Sequence, residues 1–144
     1  MIIILHTAVS DETQNRVISR ETTVGKKELD LEGPDWPLQG KQFSGIVVTN
    51  YLYRPFLDEL PKMLCEGGVL IYETFADGNA QFGKPSNPNF LLKPGELLAL
   101  AERSGLKVIA YEDIYLSQPK PAMVQRICAV KGHLKGCIPL QFGG

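Results

Sequence analysis

Short continuous apolar runs, separated by polar stretches rich in glycine and proline, organise this chain. Residues 2–5 (Ile-Ile-Ile-Leu) are β-branched and uninterrupted, the pattern of a short buried strand. Residues 6–23 are polar, and Ser10-Asp11-Glu12 offers a start signal for a helix reaching to about residue 19. Residues 26–31 read as a further short strand, and residues 32–37 (Glu-Gly-Pro-Asp-Trp-Pro) as a loop. Residues 45–50 (Gly-Ile-Val-Val-Thr-Asn) predict a buried strand ending on a polar residue. Over 55–64, Phe56, Leu57, Leu60, Met63 and Leu64 recur at helical spacing, with Pro55 suited to the first turn and Pro61 a source of a kink. Glu66-Gly67-Gly68 is expected to end that helix, and residues 69–73 (Val-Leu-Ile-Tyr-Glu) to form the next strand. Residues 74–93 form a long loop, a length usually reserved for binding loops and lids. Residues 94–104 predict a helix with Leu97, Leu98, Leu100 and Ala101 inward and Gly105 closing it. Residues 106–111 and 124–130 predict two strands joined as an antiparallel hairpin, with Gln125 and Arg126 alternating outward. Strands alternating with helices define the class: α/β, a mostly parallel sheet with a C-terminal antiparallel hairpin.

Composition narrows the functional classes. At 144 residues, 44% apolar and 22% charged, the chain fits one globular domain. This domain is expected to span residues 1–131, with a divergent segment at 1–23 and a tail without clear period at 132–144. The net charge of −1 is scattered, which argues against nucleic acid as a partner. No run approaches a membrane span, and no cationic region precedes the apolar start, so a cytoplasmic protein is expected. Cys65, Cys128 and Cys137 show no CxxC spacing, and His6 and His133 no ligand spacing; neither a disulfide framework nor a metal site is expected.

The stretch 43–55 (Phe-Ser-Gly-Ile-Val-Val-Thr-Asn-Tyr-Leu-Tyr-Arg-Pro) resembles class I S-adenosylmethionine (SAM)-dependent methyltransferases, in a bacterial-type branch distantly similar to the tellurite-resistance methyltransferases. Residues 66–75 resemble the Gly-Gly turn and fifth strand of that fold. Gly78-Asn79, Phe82-Gly83-Lys84-Pro85-Ser86-Asn87-Pro88, residues 90–97 and residues 124–130 are similar to the same branch. The likeness covers about residues 24–131 and implies a Rossmann-like sheet with SAM as cofactor and a small molecule as methyl acceptor. The chain departs from the family where the first strand should feed a glycine-rich turn, because no G-x-G-x-x-G-like run occurs at its start. Counted back from Asp30, residues 2–5 fall near the family's second strand, but no carboxylate follows them. The fold is thus expected to be incomplete at its N-terminus, as an N-terminally truncated form would be.

The resemblance puts Asp30 and Leu31 beside the adenine, and Asn50, Tyr51 and Leu52 beside the cofactor's methionine end or the substrate. Asn50 alternatively caps the helix that follows. Arg54 is a candidate for holding an anionic substrate or a loop carboxylate, or for a structural ion pair, for example with Glu73. Tyr72 and Glu73 end the fifth strand at the same rim; Glu73 is the candidate general base, or a residue that positions the loop. Asn79, Phe82 and Asn87, with Phe90, are candidate substrate contacts on the long loop, which alternatively is an ordered surface loop. Without the first strand, one edge of the fourth strand would be left unpaired. Either a homodimer or a shifted N-terminal strand is expected to cover it. A non-catalytic binding or dimerisation module is the alternative to an enzyme.

Overall fold

In the structure, a computed structural model, residues 34–132 are described, together with the backbone of the strand Ile2–Thr7. Five strands form one sheet: β1 (Ile2–Thr7), β2 (Phe43–Thr49), β3 (Leu64–Phe75), β4 (Leu106–Leu116) and β5 (Ala122–Lys131), in the order β1-β2-β3-β5-β4. β2 and β3 pair in parallel, while β1 with β2, β3 with β5, and β5 with β4 pair antiparallel. β2, β3 and β4 therefore run one way, and β1 and β5 the other. The carboxyl ends of β2, β3 and β4 share one rim with the β4–β5 turn.

The expected hairpin of β4 and β5 is present and longer than its apolar runs. β4 continues through Glu112 and Asp113 to Leu116, because at a sheet edge the alternate positions are free to be polar. Residues 2–5 do not take the place of the family's second strand. They pair antiparallel along the free edge of β2, from Ile2 opposite Thr49 to Thr7 opposite Phe43. The edge that needed covering is thus paired within the chain.

The helix expected over 55–64 is two short turns, α1 (Arg54–Leu57) and α2 (Glu59–Lys62), broken at Asp58. Pro61 has no N–H for the carbonyl of Leu57, and its ring crowds that carbonyl. Glu66, Gly67 and Gly68 do not close this helix but lie inside β3, where the register with β2 jumps from Phe43↔Leu64 to Gly45↔Val69. Gly67 takes a left-handed φ of 78°, and a Cβ on Gly68 would come 2.8 Å from the Cys65 carbonyl oxygen, so both positions require glycine.

α3 (Glu96–Arg103) follows the long loop. Leu97, Leu100 and Ala101 are buried as expected, but Leu98 lies on the solvent side, 39% exposed. The core joins Leu57, Leu60, Leu97 and Leu100 of the helices to Ile46, Val48, Leu70, Tyr72, Ile127 and Ala129 on one sheet face. Trp36 and Leu38 close it, Trp36 packing on Phe56 with ring centroids 5.1 Å apart. Gln125 points inward rather than outward and is fully buried. Its Nε2 donates to the Lys93 carbonyl (2.6 Å) and its Oε1 accepts from the Leu97 N–H (3.3 Å), which ties β5 to the start of α3. No described helix is long and apolar enough to cross a membrane.

Candidate functional site

The carboxyl-end rim holds a cleft of about 670 Å³. Ligands of open α/β sheets bind outside this end of the strands, and the volume lies in the range of small-molecule sites. Asn50 at the end of β2 and Glu73 and Phe75 at the end of β3 line one side. Asn79, Phe82, Gly83 and Lys84 of the long loop form a wall, and Leu116, Ala122 and residues 118–121 of the β4–β5 turn form another.

The loop is ordered. Its neck is closed by a bridge between Ala76 and Leu92: Leu92 N–H donates to the Phe75 carbonyl (2.9 Å) and Asp77 N–H to the Leu92 carbonyl (2.8 Å). Two 3-10 turns, Asn79–Gln81 and Pro88–Phe90, shape it. Asn79 is 2% exposed and bonded at both amide atoms, donating from Nδ2 to the Pro85 carbonyl (3.0 Å) and accepting at Oδ1 from the Met123 N–H (3.1 Å). Asn87 accepts from the Asn89 N–H (3.0 Å), capping the second turn, and sits on the surface away from the cleft lining. Phe82 at the tip is 40% exposed and meets Tyr115 of β4 at 5.2 Å between ring centroids.

Arg54 pairs with Glu96, not with Glu73. Its Nε and Nη2 grip the two carboxylate oxygens (2.8 and 2.9 Å), while Nη1 and Nη2 donate to the carbonyls of Asn89 (3.0 Å) and Leu91 (2.8 Å). The guanidinium therefore fastens the loop's return to the first turn of α3. Burial pushes the Glu96 carboxyl up. The hydrogen bond from Arg54, the Lys93 N–H (2.7 Å) and the nearby positive charges outweigh this and hold it below the ordinary carboxylate value. Tyr72 is not at the rim but in the core, 0% exposed, its hydroxyl donating to the Tyr51 carbonyl. Burial is the main reason that its ionisation is pushed far above the ordinary phenol value, with smaller contributions from Tyr51 and Glu96.

Glu73 does reach the cleft. Its carboxylate pairs with Arg126 directly across the β3–β5 ladder (2.9 Å), and Arg126 also meets Glu112 of β4 (3.3 Å). At 40% side-chain exposure Glu73 stands in a half-open ion pair rather than a desolvated pocket. Asn50 is exposed, with φ 53°, and its N–H donates to the Glu73 carbonyl (3.0 Å); it caps no helix, since α1 begins after Tyr53. Tyr51 and Leu52 are each 5% exposed and belong to the core cluster. Asp30 and Leu31 lie outside the described residues.

Sequence reasoning passed over the second wall: Leu116, Gln118, Pro119, Lys120, Pro121 and Ala122. A signal was available, because a hairpin whose first strand runs the same way as the parallel strands must turn at the ligand-binding rim. The described residues hold no cluster of His, Cys, Asp and Glu suited to a metal ion.

A SAM molecule needs more than these residues supply. The strand beside β2 runs antiparallel, so the chain that follows it leaves from the far end of the sheet, where Thr7 faces Phe43. Among the described residues, no strand, turn and helix stand at this rim in the place of the glycine-rich turn. Of the cofactor's expected surroundings, the described residues provide only the end of β2, at Asn50.

No family model and no curated protein matches the chain. Solved structures do. TehB from Haemophilus influenzae superposes with a TM-score of 0.58 and 14% identity over 84% of this chain and 46% of TehB. A structure described as a SAM-dependent methyltransferase from Methanosarcina mazei gives a TM-score of 0.49 and 13% identity over 67% of this chain and 63% of its own. The chain spans about half the length of the TehB structure. With β2 and β3 parallel and the antiparallel strands β5 and β4 beyond them, the chain shares the α/β fold of the part of TehB that it matches.

Proposed function

We propose that this chain forms the acceptor side of a SAM-dependent methyl transfer to a small molecule. The cleft carries the reading: it lies at the carboxyl ends of β2 and β3, on a methyltransferase fold, between a pinned loop and a hairpin turn. The sulfonium of the cofactor supplies the activated methyl group. The protein's part is then to hold the acceptor and exclude water. Phe75, Phe82 and Val124 give the cleft apolar surface, and Glu73 gives it a carboxylate fixed by Arg126. Remaining contacts to the cofactor would come from residues outside the described ones, Asp30 and Leu31 among them.

Calorimetric titration of the 144-residue chain with S-adenosylhomocysteine tests this. Micromolar binding is expected, and Asn50→Gly should weaken it, because glycine keeps the left-handed backbone while removing the side chain. A folded chain that binds nothing at millimolar ligand overturns the proposal.

A further inference from the structure

We infer that the small molecule held in this cleft is an organic acid, an apolar body bearing one carboxylate or comparable anionic group, anchored by Lys84 and Lys120. The inference rests on the reading of the cleft as the acceptor site and adds the acceptor's chemical class. Lys84 comes from the long loop and Lys120 from the β4–β5 turn, so two separate elements deliver one cation each to the same cleft. The chain as a whole has a net charge of −1, so this is a local concentration and not part of a basic surface. Both lysines are exposed, and neither makes a salt bridge or a side-chain hydrogen bond with a described residue. The carboxylate that shares the lining, Glu73, is already held by Arg126. Two lysines without a described acidic partner, lining one cleft, favour an anionic ligand there. Phe75, Phe82 and Pro119 supply the apolar surface that the rest of such a ligand needs. An anionic group could also come from the cofactor's own amino-acid end, so the test must separate the two.

The probes are trans-cinnamate and cinnamyl alcohol, which share one body and differ in charge, titrated into the isotope-labelled full chain at low salt and followed by amide NMR. Cinnamate is expected to shift the amides of Phe82, Lys84 and Ala122 and to bind about tenfold tighter than the alcohol, a preference that fades with added salt. The K84Q/K120Q double variant should bind both probes alike, at the alcohol's affinity, and saturating S-adenosylhomocysteine should leave cinnamate bound. Equal affinity for acid and alcohol overturns the inference, as does an acid preference that survives the double substitution. Displacement of cinnamate by S-adenosylhomocysteine overturns it by assigning the anion to the cofactor, and so does the absence of any shift in a chain whose spectrum is that of a folded protein. The two proposals fail separately. Binding of S-adenosylhomocysteine without cinnamate leaves methyl transfer standing and removes the organic acid. Lysine-dependent binding of cinnamate without S-adenosylhomocysteine keeps the acid site and removes methyl transfer.

Discussion

The two faces of the sheet are built on different terms. On one, Ile46, Val48, Leu70, Tyr72, Ile127 and Ala129 pack under α1, α2 and α3, all 3% exposed or less. On the other, cross-strand neighbours Val47, Ile71 and Cys128 form an apolar row that leaves Ile71 46% exposed, beside the ion-pair row of Glu73, Arg126 and Glu112. Alternation along β3 puts adjacent residues on opposite sides of this divide. Stability should therefore come mostly from the helix-covered face, while the cleft stands at the rim where the two faces meet.

Adjacent substitutions in β3 give the sharpest contrast. Leu70→Ala, at 1% exposure, should cost about 2–5 kcal/mol by lost transfer energy and a residual cavity. Ile71→Ala should cost about 1 kcal/mol or less, since half the side chain is already in water. Urea unfolding of the two variants measures the gap. Equal losses would mean that the second face is covered in solution.

Arg54→Ala comes next, because it unties the loop from α3, removes a donor from two carbonyls and leaves the Glu96 carboxylate with the Lys93 N–H alone of the donors named above. A loss of about 2 kcal/mol is expected, and Arg54→Lys should recover little, since a single ammonium cannot grip both Glu96 oxygens and the loop carbonyls. The pH dependence has a definite sign. The folded Glu96 carboxyl lies below its ordinary 4.5, so its contribution is present above that pH and is lost as pH falls through the folded value. The difference between wild type and Arg54→Ala should shrink in acid, as read from urea midpoints across pH.

Tyr72→Phe is a smaller change on the same face, about 1–2 kcal/mol for removing the hydrogen bond from the Tyr72 hydroxyl to the Tyr51 carbonyl. Tyr72 also sets an alkaline limit. Burial raises its folded ionisation above the unfolded value of 10.0, so the unfolded chain releases this proton first. Its share of stability is intact below pH 10 and declines above it. Tyr72→Phe should flatten that decline.

The covered face was also the more legible one. Ile46, Val48 and Leu70, or Leu97 and Leu100, announce buried elements because burial alone fixes their type. Direction and neighbour are not written in a run such as Ile2-Ile-Ile-Leu5: it specifies a buried strand, and only the vacant edge of β2 decides where it pairs and which way it runs. Gln125 was misjudged for a related reason. Its polarity suggested solvent, but its amide answers a carbonyl and an N–H that tertiary packing brings to it. At the site, Asn50 and Glu73 were legible as strand ends, whereas Lys84 and Lys120 became site residues only when loop and hairpin turn met across the cleft.

The smallest expected effect tests the open face directly. Arg126 lies between Glu73 and Glu112, with side-chain exposures of 38%, 40% and 50%, so water and salt screen both pairs. Glu73→Gln removes one charge but keeps the shape, and it leaves Arg126 its contact with Glu112. Stability should change by about 0.5 kcal/mol or less, and the difference should vanish near 1 M salt, where the Debye length is about 3 Å. A loss several times larger, persisting in high salt, would place this row in a desolvated setting. The second face would then be buried against another surface in solution, and the contrast between Leu70 and Ile71 should collapse with it.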